Sequence, residues 1–137
     1  GITEEQALRY LKVGLDLIQT DHFDDAASVF EALIAMNPQD PDPHAFLGGL
    51  HVQLERPEQA MACYDTCLKL SPKHVLALAG RGELRLKQGD QAGLDDLKRA
   101  AELDPMGRSP AGRRAASLVR TLRLKPAQAP RRRTASR

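Results

Sequence analysis

Gly14, Gly48 and Gly82 stand 34 residues apart, and Pro38, Pro72 and Pro105 follow at intervals of 34 and 33. Phe30, Tyr64 and Leu97 keep the same rhythm, as do Ala26, Ala60 and Gly93. A period of this length marks a stacked array, in which each unit buries its apolar face only against its neighbours. One residue is missing from the third unit, between Gly82 and Gly93, and the turn around Gly89-Asp90 is the expected place for it.

Each unit has the texture of two short helices. Residues 5–19 are apolar on almost every side, and Thr3-Glu4-Glu5-Gln6 before them has capping-box spacing. A polar turn, Gln19-Thr20-Asp21-His22, leads to Phe23, Ala26, Ala27, Phe30, Leu33 and Ile34 at three-to-four spacing. Asn37-Pro38 ends that helix, because proline has no amide hydrogen and turns the residue before it away from helix. Residues 41–54 with 57–70, and 75–88 with 91–103, repeat the plan, and no strand-like alternation occurs. The chain has 42% hydrophobic residues but only 4% aromatic and no Trp. Its core must therefore come from Leu, Ala, Val and Ile. Ser109-Pro110 reads as a helix start, and Ala111, Ala115, Leu118, Val119 and Leu122 form one stripe after it. A stack leaves its last apolar face open, so 110–124 is predicted to be a capping helix.

These residues resemble the tetratricopeptide repeat (TPR) family, whose pattern is a large residue, Leu-Gly, Tyr, then Ala with an aromatic four on, then Pro. The first unit offers Tyr10, Val13-Gly14, Leu17, Ala26, Phe30 and Pro38; the second offers His44, Leu47-Gly48, His51, Ala60, Tyr64 and Pro72. The third departs from the pattern: Leu78, Arg81-Gly82, Arg85, Gly93, Leu97 and Pro105. The implied fold is an all-α helix-turn-helix solenoid of three repeats, 7–40, 41–74 and 75–107. The capping helix 110–124 completes a domain over 1–124, and 125–137 is expected to be a flexible basic tail.

A formal charge of +2 conceals a split. All 18 acidic residues lie at or before Asp104 beside 10 basic ones, net −8, whereas residues 105–137 carry 10 basic and no acidic side chains. No apolar run reaches the ~18–20 residues of a membrane span, and no basic-then-apolar opening reads as a signal peptide. Cys63 and Cys67 lie four apart on one expected helix, a poor geometry for a disulfide, so the reading is a reducing, cytoplasmic compartment.

Nothing in the chain assembles the parts of a catalyst. His44 and His51 stand where the repeat expects large packing residues, Gly48-Gly49 falls inside a helix, and Asp24-Asp25 and Asp95-Asp96 suit helix starts. No metal or cofactor is expected and an enzyme is disfavoured. In TPR arrays the first helices line a concave groove, and the pattern residues pack the scaffold. The residues beside the pattern would then face a partner: Leu8, Leu11, Leu15 and Ile18; Ala45, Gly49 and Val52, with Asp42 before them; Leu76, Ala79, Glu83 and Leu86. The basic clamp by which many TPR co-chaperones hold a terminal carboxylate is replaced by Leu11, Leu15, Phe46 and Gly80. A groove of this composition suits apolar anchors on a protein or peptide client. The same stripe could instead be covered by a second copy of the chain or by its own tail.

An apolar groove on three repeats with a cap is similar to the class II chaperones of bacterial type III secretion. The stretches Val29-Phe30-Glu31-Ala32-Leu33 and Ala45-Phe46-Leu47-Gly48-Gly49-Leu50 have a similar texture. That resemblance implies a chaperone keeping an aggregation-prone client in solution without ATP. The alternative is a scaffold that homodimerises or assembles a complex, its Arg131-Arg132-Arg133 tail contacting nucleic acid or an acidic partner. Nucleic acid is disfavoured, because aromatics for base stacking are absent from the basic end.

Overall fold

The computed structural model describes residues 3–124; the expected basic tail lies outside them. Seven helices follow one another: α1 Glu4–Gln19, α2 Phe23–Met36, α3 Pro41–Gln53, α4 Pro57–Leu70, α5 Val75–Lys87, α6 Ala92–Leu103 and α7 Pro110–Leu124. None of the described residues lies in a strand. Each helix packs on the next, and α3 also meets α5, as α5 meets α7. The first helices of successive units therefore line one side of the solenoid.

Local chemistry sets the helix ends. The Thr3 hydroxyl accepts from the Gln6 amide at 3.1 Å, and the Gln6 side chain accepts from the Thr3 amide at 2.9 Å, completing the capping box. The turns inside the three units share one construction. His22, Arg56 and Asp90 donate to the carbonyls of Leu17, His51 and Arg85, each at 2.8 Å. This reach of five residues is the Schellman closure, and it places Asp21 (φ 61), Glu55 (φ 59) and Gly89 (φ 82) in the left-handed region. The missing residue lies just beyond this turn. In the first two units the amides of Ala26 and Ala60 bond four residues back, to His22 and Arg56. In the third, Gly93 and Leu94 bond three residues back, to Asp90 and Gln91. The deletion is absorbed as a tighter first turn of α6.

The periodic glycines are sites of close helix approach. A Cβ on Gly14 would stand 2.8 Å from the Phe30 ring, and one on Gly48 would stand 2.7 Å from Tyr64. A Cβ on Gly82 would stand 2.8 Å from the Gly93 carbonyl, and one on Gly93 would overlap the Gly82 carbonyl, which is why glycine replaces the alanine of the other units at position 93. Two buried clusters result. Ala26, Ala27, Phe30, Leu33, Leu47 and Leu50 hold the first three helices, and a larger cluster runs from Ala45 through Tyr64, Leu78 and Leu97 to Val119 of α7.

The third unit departs from the repeat because charge replaces its apolar contact. By the repeat spacing, Val29, Cys63 and Asp96 are equivalent positions, as are Val13, Leu47 and Arg81, and Leu17, His51 and Arg85. Asp96 is 7% exposed and takes Arg81 Nε and Nη2 and Arg85 Nη1, each at 3.0 Å. Asp65 takes the remaining Arg81 Nη1 at 3.0 Å.

Candidate functional site: the concave groove

Two adjoining cavities open where α1, α3, α5 and α7 face the same side. The first, about 410 Å³, is lined mainly by Leu15, Ile18, Phe23, Phe46, Leu50 and Leu76. Phe46 is held there by its stack on Phe30, with ring centroids 5.3 Å apart. The second, about 550 Å³, lies between α3, α5 and the start of α7, and its residues include Val52, Ala79, Tyr64, Gly80, Glu83, Lys87 and Arg114. Gly49, Gln53 and Leu76 line both, so the two form one continuous groove.

Of the side chains expected at the groove, Leu15, Ile18, Ala45, Gly49, Val52, Leu76, Ala79 and Glu83 are brought together in this pair of cavities. Leu8, Leu11 and Leu86 are not. Leu8 is 61% exposed on the first turns of α1, beyond the reach of α3. Leu11 packs against the first core cluster. Leu86 turns toward α6, where its Cγ lies 2.9 Å from the place a Cβ on Gly93 would occupy. The shortened α6 turn draws the third pair together and takes Leu86 with it.

Phe46 and Gly80, which stand at the clamp positions, line the cavities too, whereas Phe23, Leu50, Gln53, Tyr64, Lys87 and Arg114 line them without having been expected there. Tyr64 carried a signal in retrospect. Its ring fits between Gly48 and Gly80, and Gly80 stands where the preceding unit has Phe46. A glycine at a position that elsewhere holds a large residue marks where something else comes through.

The charges are confined to one end. Arg114 of α7 reaches Glu83 of α5 with two parallel bonds, Nε to Oε1 at 2.6 Å and Nη2 to Oε2 at 2.9 Å. Glu83 raises the Arg114 pKa. Burial, followed by the nearby Glu83 charge, holds the Tyr64 phenol protonated far above neutral pH. Both cysteines are free; burial pushes the Cys63 thiol up to about 11 and Cys67 to about 12, leaving them packing groups and not nucleophiles. His44 Nε2 donates to the Pro38 carbonyl at 3.1 Å, and burial lowers the pKa of His51, so both rings serve packing in α3. Among the described residues no group of three His, Cys, Asp or Glu is placed to hold a metal ion. No described helix is long and apolar enough to cross a membrane.

This architecture is that of the TPR solenoids, and residues 17–81 match the tetratricopeptide repeat family model. The fold is similar to that of PcrH from Pseudomonas aeruginosa, with a TM-score of 0.77 at 22% identity over 90% of this chain and 96% of that one. It is similar also to the Yersinia enterocolitica type III secretion translocator chaperone SycD, with a TM-score of 0.76 at 21% identity over 91% and 88%. In sequence, the peroxisomal targeting signal receptor of Pichia angusta is 30% identical over 93 residues, 66% of this chain. The chain spans only 16% of that receptor's length.

Proposed function

We propose that the chain is a non-enzymatic binding module that holds an extended apolar segment of a partner protein along its groove, in the manner of a type III secretion translocator chaperone. The observation that carries this reading is the continuous pair of cavities, open and apolar at Leu15, Ile18, Phe46 and Leu76. The relatives support it: PcrH is solved with the chaperone binding regions of PopD and PopB, and SycD with a peptide of the translocator YopD. On this reading 7–40, 41–74, 75–107 and the cap 110–124 act as one cytoplasmic module, and Leu15, Ile18, Ala45, Gly49, Val52, Leu76, Ala79 and Glu83 meet the client. A carboxylate placed in the apolar cavity must be desolvated when the client binds. Leu15→Glu and Leu76→Glu are therefore each expected to weaken client retention by at least about 10-fold, with helical content preserved by circular dichroism. Unchanged co-purification of the same client in both variants overturns the assignment.

A second reading has its own support. Tyr10 and Val13 of α1 are each 47% exposed, whereas their equivalents His44 and Leu47 are 8% and 6% exposed. Self-association through this face of α1 is compatible with a free groove.

A further inference from the structure

The cavity at the α7 end contains a polar group that the scaffold leaves unanswered. Tyr64 is 4% exposed, yet its hydroxyl makes no hydrogen bond to another described residue. Its phenol comes from α4, in the layer behind the groove, and passes between the two groove helices where Gly49 and Gly80 leave space. A Cβ on Gly49 would lie 3.8 Å from that oxygen, and one on Gly80 would overlap the ring. The hydroxyl opens onto this cavity with no protein acceptor, so it is free to donate to whatever enters.

The surroundings define the sign of that guest. Lys87 and Arg114 stand at the cavity against the single carboxylate of Glu83, a surplus of one positive charge. Both Glu83 oxygens are engaged by Arg114, whose Nη1 is left to donate elsewhere. Pro110 and Ala111, at the start of the 15-residue helix α7, complete the lining. The donors at this space include the Tyr64 hydroxyl, Lys87 and Arg114.

We infer that this cavity is a subsite for an acidic side chain of the bound segment, placed next to the apolar anchor that fills the neighbouring cavity. The inference rests on the groove reading above. A side chain fits better than a chain end because the phenol is recessed behind α3 and α5. Two or three carbons must carry the carboxylate down to it, and a terminal carboxylate would need the backbone itself to descend. The guest takes the Tyr64 proton donor, Lys87 and the spare Arg114 nitrogen, and leaves the Glu83 pair in place.

The test uses a random linear peptide display library selected on the full chain. The expected result is a family of peptides with Leu, Ile, Phe or Met at one position and Glu or Asp at a fixed distance from it. In a synthetic copy of one such peptide, Glu→Gln is expected to weaken binding about 10-fold, more at low salt than at high. Tyr64→Phe, which keeps the ring packing, is expected to weaken the acidic peptide about 5-fold and to shrink the Glu-over-Gln preference. Lys87→Ala should reduce the salt dependence. Selected peptides with apolar anchors but no acidic position, or an unchanged preference in Tyr64→Phe, overturn the subsite and leave the groove intact. Peptides that bind Leu15→Glu as well as the parent show binding outside the groove and overturn both readings.

Discussion

Asp96 faces Arg81 and Arg85 where the other units pair apolar side chains, and Arg81 is held charged chiefly by its hydrogen bond to Asp96. The three side chains substitute for one another only as a set. Removing the carboxylate alone leaves Arg81 with Asp65 only and Arg85 with the looser 4.0 Å contact to Asp90, on side chains that keep only 19% and 26% exposure. Breaking a buried pair costs about 3–5 kcal/mol, and the residual solvent access here lowers that to about 2–3 kcal/mol for Asp96→Ala. Restoring the repeat's own chemistry with Arg81→Leu, Arg85→Leu and Asp96→Val together is expected to return stability to within about 1 kcal/mol of the parent, since apolar isosteres can replace buried ion pairs. Urea denaturation of the single and triple variants measures both. A triple variant less stable than Asp96→Ala would mean that the network has no apolar equivalent in this frame.

At the scale of the helix, the junction between α6 and α7 depends on Asp104. Its Oδ1 accepts from the Arg108 amide at 2.9 Å, and its Oδ2 accepts from the Ser109 amide at 2.9 Å and from the Ser109 hydroxyl at 2.8 Å. Ser109 Oγ in turn accepts from the Gly112 amide at 3.0 Å, capping α7. Gly112 is required because a Cβ there would collide with the Asp104 carboxylate. The sequence showed the Ser109-Pro110 start and the apolar stripe, because caps and periodicity are local. It did not show that an aspartate six residues before Pro110 orders the cap, since that depends on how the chain folds back at Gly107. The amides of Ser109 and Arg108 and the Ser109 hydroxyl hold the Asp104 carboxyl below its ordinary value. A carboxyl with a lowered folded pKa contributes stability that is present above its unfolded value, near ~3.9, and is lost as pH falls through the folded one. Acidification below about pH 4 is therefore expected to loosen α7 before the first two units. Hydrogen exchange should detect this as faster exchange across 113–122 with α2 and α3 still protected. Asp104→Ala should produce the same pattern at pH 7, several-fold faster exchange confined to α7. Uniform loss of protection across all helices would place the weak point elsewhere.

Over the whole molecule, the period of 34 fixes how many helices there are and which pair, because Gly14–Phe30 and Gly48–Tyr64 contacts recur with it. It leaves the rotation of each helix about its axis less well defined, and the groove depends on that rotation. Leu86 stands beside the pattern residue Arg85, yet turns toward Gly93, which follows Gly82 one residue sooner than Ala26 and Ala60 follow Gly14 and Gly48. Tyr64 reads as a scaffold residue and is one, but its hydroxyl reaches the groove through the gap left by Gly80. The array also ends unequally. At one end α7 covers the last pair with Ala115 and Val119, both buried. At the other, nothing in the described chain does for α1 what α2 does for Leu47, or α4 for Leu78, which are 6% and 3% exposed. The pattern positions Tyr10 and Val13 are left at 47%, with Leu8 at 61% on the same helix. In this fold such positions receive a neighbouring helix, and α1 of a second copy is a surface of matching character that mass action brings in as concentration rises. Sedimentation at tens of micromolar is expected to give a dimer, and Tyr10→Glu with Val13→Glu, neither of which lines the groove cavities, a folded monomer that still binds its client. A parent chain that sediments as a monomer overturns the pairing, and a double variant that stays dimeric moves the interface away from this face of α1.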